Sequence, residues 1–179
     1  MSARCLLGAA GVIAMLAAAP AHAGRSCEEH PVTQAALVIV PPQKIAAKLG
    51  EILRDPATLH GLHGSHYSMV AYPFSTRYQN SNQWVLEVLA SAEATDFRIR
   101  TREQAQSWLK MAGYTPTEMH IGPLTRLGGR VFKANIAFDD HPNALRFSDR
   151  INAVTVDSML AFLRGREDGW RVQELKGRR

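Results

Sequence analysis

Three stretches of this chain carry side chains whose types and spacing could do chemistry. His60, His63 and His66 recur at three-residue intervals in HGLHGSH, and three imidazoles so spaced could hold Zn²⁺ or Cu²⁺. Gly61 and Gly64 work against a regular helix there, and no carboxylate or cysteine lies close in sequence to complete a coordination shell. The stretch therefore reads first as a solvent-exposed glycine-histidine loop, and no metal or other cofactor is expected.

Asp139-Asp140-His141-Pro142 is the densest polar cluster. Carboxylates beside an imidazole can position a general base, which makes Asp140 and His141 catalytic candidates and Asp139 a binding candidate. Aspartates ahead of a proline are also ordinary turn chemistry, because their side chains bond nearby backbone N–H groups. No nucleophile stands beside them in sequence.

Tyr78-Gln79-Asn80-Ser81-Asn82-Gln83-Trp84 places five consecutive amide or hydroxyl side chains ahead of an amphipathic segment. Some must cap that helix; Asn80, Asn82 and Gln83 are candidates for lining a polar pocket or holding a neighbouring loop. Ser81 at a helix N-terminus is a tolerable nucleophile position, since exposed N–H groups there stabilise developing negative charge. Motifs of the α/β-hydrolase elbow, phosphate-binding loop, dinucleotide fingerprint, H-E-x-x-H and paired C-x-x-C types do not occur.

The elements that must position these residues follow from periodicity. AALVIV over 35–40 is a continuous apolar run of the buried-strand type, and Pro41-Pro42 ends it. Ile45, Leu49, Ile52 and Leu53 form one helical stripe, stopped by Asp55-Pro56. Residues 58–64 look turn-like, and YSMVAY over 67–72 reads as a strand ended by Pro73. A helix is expected from Ser81 onward through Trp84, Val85, Val88, Leu89 and Ala92, with Asn80, Ser81 or Asn82 as N-cap. Thr101 and Gln104 form a capping box for a helix through Ala105, Trp108, Leu109 and Ala112, with Gly113 closing it. Between Val131 and Phe138 the period becomes two, which favours a strand over a short helix. Thr155 caps a last helix through Val156, Met159, Leu160 and Leu163, stopped by Gly165, and Trp170, Val172 and Glu174 follow as an edge strand. The expected class is α+β: one mixed domain of three to four helices on a small sheet.

Length and charge narrow the setting. Arg4, an apolar or small run from Leu6 to Ala19, and Ala21-His22-Ala23 have the order of a cleavable signal peptide. The run has 14 residues, short of the roughly 18 that a membrane span needs. Residues 1–23 are therefore read as a signal peptide cleaved after Ala23, 24–34 as an N-terminal segment, 35–175 as the domain and 176–179 as a basic tail. A periplasmic or secreted location follows, with no transmembrane segment after cleavage. Three of the mature chain's four net positive charges fall between Arg164 and Arg179, so the basic balance reads as a charged end and no nucleic-acid partner is expected. Cys5 belongs to the leader, which leaves Cys27 as the exported thiol. Its place near the terminus argues against a nucleophile.

The sequence also resembles a known family. Tyr67-Ser68-Met69-Val70-Ala71-Tyr72-Pro73, then Arg77 through Glu87, Ala105-Gln106-Ser107-Trp108-Leu109, Gly113-Tyr114 and Leu124-Thr125-Arg126-Leu127-Gly128 are similar to the bacterial exported family called domain of unknown function 2145. Asn135 through Pro142, Arg146-Phe147, Val154 through Ser158 and the opening Gly24-Arg25-Ser26-Cys27-Glu28-Glu29 extend the likeness. The resemblance brings no established activity. It also implies that a section between Cys27 and the strand at Ala35 is missing, together with a further cysteine. A weaker resemblance, to permuted papain-like NlpC/P60 cell-wall amidases, implies a truncated fold of that kind in which Asn80-Ser81-Asn82 stands where a catalytic cysteine would open a helix. Two functions are thus expected: a non-catalytic exported module with an unknown envelope partner or ligand, or a hydrolase of envelope amide bonds.

Overall fold

A computed structural model describes residues 13–15, 35–122, 135–166 and 169–176. Cys27, the 24–34 segment and most of the expected leader lie outside the described residues.

The strand expected at AALVIV is β2 (Ala35–Val40), the middle of a three-stranded antiparallel sheet. On one side it pairs with β1 (Ile13–Met15), in the register Ile13↔Ile39, Ala14↔Val38, Met15↔Leu37. On the other side lies β5 (Arg171–Lys176), the expected edge strand, with Val38 opposite Gln173. A second sheet pairs β3 (Thr117–His120) with β4 (Arg150–Ala153), antiparallel. TEMH shows no clear apolar alternation; RINA does alternate, with Ile151 and Ala153 buried, but over four residues the period is too short to stand out.

Helix α1 (Gln43–Ile52) buries Ile45, Leu49 and Ile52 of the stripe read from sequence, while Leu53, just past its end, is exposed. Asp55 does not simply stop the chain. Its carboxylate accepts the Ala57 N–H (3.1 Å) and the Thr58 hydroxyl (2.7 Å), so it caps α2 (Pro56–Gly61). Half of the expected turn at 58–64 is therefore helix, because Pro56 sits in the first turn, where its missing N–H costs nothing.

Helix α3 (Ser81–Glu93) starts at Asn80, whose side chain accepts the Gln83 N–H at 2.7 Å. Nine of its thirteen residues are buried, so it is the central helix rather than a surface helix with one apolar face. Helix α4 (Arg102–Met111) has both bonds of the expected Thr101/Gln104 capping box, and Gly113 follows at φ +80°, the left-handed conformation that favours glycine. The short α5 (Asn143–Arg146) leads into β4, and α6 (Val156–Arg164) is capped by Thr155 as expected. The described residues thus hold six helices against the three to four expected; α2 and α5 are the short additions.

The core joins these elements: Ile39 of β2, Leu49 of α1, Leu86 and Leu89 of α3, Leu109 of α4 and Leu163 of α6 are all buried in one apolar cluster. Each contributes about 1.5–3 kcal/mol by leaving water. Tyr114 joins them with its hydroxyl 2.8 Å from Ser158 Oγ, and burial pushes its phenol up to about 12.

One expected strand is not a strand, and the described part of another is irregular. Residues 67–72 form a turn-rich loop with one isolated bridge, Tyr67 to Gln79. Among the described residues the loop has no partner strand; its backbone bonds side chains and another loop. Residues 135–138 are irregular for the same reason, while 131–134 lie outside the described residues.

Candidate functional site

The 66–79 loop is where the sequence candidates meet. From α3, the Asn80 side-chain amide donates to the Met69 carbonyl (3.1 Å) and the Val154 carbonyl (3.4 Å), and Asn82 donates to Val154 as well (3.3 Å). From the far side, Asp140 Oδ2 accepts the Tyr72 N–H at 2.7 Å, and Asp139 pairs with Arg77 at 2.8 Å. Ser68 Oγ donates to the Ala137 carbonyl (3.1 Å) and accepts the Ala137 N–H (3.0 Å), while the Met69 N–H donates to Asn135. The polar run at α3 and the Asp139–His141 cluster therefore converge on one loop, and both also reach the end of β4. They converge by bonding backbone, in the manner of a clamp.

His141 is buried within this clamp, with Nδ1 3.0 Å from Asp140 Oδ1 and Nε2 2.8 Å from the Asn152 carbonyl oxygen. Both ring nitrogens are thus taken up by partners inside the fold. Neither nitrogen faces a nucleophile. The Tyr72 ring lies 5.2 Å from the imidazole, and burial first, then the Asp140 charge, pushes its phenol above the usual tyrosine range. Ser81, on the first turn of α3, is exposed, and among the described residues no histidine or carboxylate bonds to it.

Behind the same loop lies a group that includes the candidate Gln83 and whose other members, Gln79, Glu87, Arg102 and Gln106, were not candidates. Glu87, with no exposed side-chain surface, pairs with Arg102 Nε at 2.9 Å and Nη2 at 3.3 Å. It also accepts from the amides of Gln79 (2.6 Å), Gln83 (3.2 Å) and Gln106 (2.9 Å). Arg102 spends its remaining donors on the Ser75, Thr76 and Tyr78 carbonyls, Gln106 bonds Ser75, and Gln83 bonds Pro73 (3.2 Å). Gln79 exchanges bonds with Gly64 N–H (2.7 Å) and the Leu62 carbonyl (2.9 Å). Desolvation pushes the Glu87 carboxyl above its ordinary value, and Arg102 and the amides offset only part of that. A usable signal existed in the sequence: Gln83/Glu87 and Arg102/Gln106 are i,i+4 polar pairs on facing helices, and Glu87 interrupts an otherwise apolar stretch.

The three histidines are not brought together. His60 ends α2, His63 and His66 follow in the loop, and all three are exposed. Among the described residues no group of three or more histidine, cysteine or acidic side chains is placed to hold a metal ion. A groove of about 380 Å³ lies elsewhere, lined by Lys48 and Glu51 of α1, Thr58, Ser91 of α3, Thr95 and Arg98. None of the candidate residues lines it. Lys48 donates there to the Ala94 carbonyl at the end of α3, and burial, then Lys44, lowers its ammonium below the usual lysine range.

No curated protein and no solved structure is detectably similar to this chain. A family model described as "Uncharacterized protein conserved in bacteria" matches residues 24–163, which takes in the clamp, the Glu87 group and every helix down to the last turn of α6. The chain therefore belongs to this bacterial family, domain of unknown function 2145 (DUF2145).

Proposed function

We propose that the chain is an exported, non-catalytic binding or accessory module of the bacterial envelope. The observation that carries this reading is how the candidate chemistry is used up inside the fold. His141 has both ring nitrogens on internal acceptors, and Asn80, Asn82, Asp139 and Asp140 all bond the 66–79 loop or what it rests on. A general base must reach the proton it abstracts, and the nitrogen that would do so faces the Asn152 carbonyl. The signal-like leader supports export, and membership of a bacterial family fits an envelope setting.

The Asp140–His141 contact at 3.0 Å is the one arrangement that favours a hydrolase of envelope amide bonds, because a carboxylate on Nδ1 orients a catalytic imidazole in many acyl-transfer sites. Assaying wild type, Ser81→Ala and His141→Ala on cell-wall fragments and an ester and amide panel separates the two. No turnover by wild type is expected. Turnover abolished by both substitutions in folded protein would replace the binding reading with the hydrolase one.

A further inference from the structure

β2 has two edges of different character. The edge it shares with β5 is backed by a strand carrying exposed Arg171, Gln173 and Glu174. Charged and polar residues of that kind discourage a further strand from adding beyond β5. The edge it shares with β1 has no such protection. Ala35–Val40 contains no charged or polar residue, and Ile13–Met15 contains none either. β1 ends eight residues before Ala23, inside the segment read as a leader.

This inference rests on the export reading: cleavage after Ala23 takes β1 away and leaves the backbone groups around Leu37, Val38 and Ile39 without their strand partner on that side. We propose that the vacated edge of β2 pairs with β2 of a second copy of this chain. The two sheets then merge in the order β5-β2-β2-β5.

Three observations select this occupant. β1 pairs antiparallel, so the edge already accepts the one strand direction in which two identical strands meet about a two-fold axis. The replacing strand matches the replaced one in chemistry, since both are uncharged and apolar. Finally, the strand order puts β5 on the far side of each β2, so its charges stay one strand away from the new seam. An isologous contact satisfies the open edges of both copies at once.

The experiment compares three proteins by sedimentation velocity across a concentration series: the full chain, the full chain with Ala14→Pro, and processed protein recovered from the periplasm of an expressing bacterium. Proline at 14 removes a backbone N–H from β1 and disfavours its pairing, with the body of the domain unchanged. The full chain is expected as a monomer, and the other two as dimers. Hydrogen exchange of peptides covering 35–40 should slow several-fold in the dimer as concentration rises. The proposal is overturned if both test proteins stay monomeric, or if they dimerise while 35–40 exchanges as fast as in dilute protein. Intact mass reports separately on export. A periplasmic chain that does not begin at Gly24 counts against the leader, while the Ala14→Pro arm still decides the pairing.

Discussion

Glu87 gathers four side chains around one buried carboxylate. Taking an ion pair out of water gains little net stability, but removing one partner strands the other. Arg102→Ala is therefore expected to cost about 3–5 kcal/mol by urea denaturation at neutral pH, and less in acid, where Glu87 can take up a proton. The carboxyl also makes stability depend on pH, with a sign set by its upward shift. A carboxyl whose folded value lies above its unfolded one binds more protons folded than unfolded. Its contribution is complete below the unfolded value and is lost as pH rises through the folded one. Denaturation of wild type and Glu87→Gln over a pH series should show wild type losing ground as pH climbs from the ordinary glutamate range. Equal slopes for the two proteins would show that Glu87 is not the group responsible. At this scale sequence located polar residues well and misjudged their work. Asn80 was recognisable as a cap because capping is local; Tyr72 against Asp140, Asn152 against His141, and Gln79 and Arg102 against Glu87 lie 8 to 68 residues away and are set by packing.

The elements that sequence revealed are those whose cause is local. Apolar spacing on α1 and α6, the capping box of α4 and the unbroken run of β2 each state their conformation within a dozen residues. YSMVAY has strand-forming residues, yet a strand needs a neighbour, and its neighbours here are Asn80, Asp140 and the 135–137 loop. Helix α2 hid behind Asp55-Pro56, a pair that ends one helix and begins the next. That helix ends against another backbone segment. A Cβ at Gly61 would collide with the Arg100 carbonyl oxygen, whereas one at Gly122 would meet no atom of the described residues within 4 Å. Gly61→Ala is expected to cost about 1–3 kcal/mol from overpacking, with Gly122→Ala close to neutral in the same thermal or urea assay. Equal effects would show that the close approach does not matter.

At the level of the whole molecule, the +5 formal charge says little about the domain. It is concentrated toward an end, and the elements around the clamp are held by amides, carbonyls and paired charges. No described helix is long and apolar enough to cross a membrane. The family match begins at Gly24, at the proposed cleavage point, and runs through the loop, the clamp and the Glu87 group as one stretch. One consequence follows from the near-complete burial of α3. A helix surrounded by apolar neighbours on most sides could be turned about its own axis and still cover as much greasy surface, so apolar contact alone does not choose its angle. Glu87 meets Arg102 and Gln106 at a single setting, and Gln83, one turn earlier, bonds Glu87 and the Pro73 carbonyl. They act as a key cut into the central rod, and that setting is what aims Asn80 at the Met69 carbonyl of the loop and Asn82 at the Val154 carbonyl beside it.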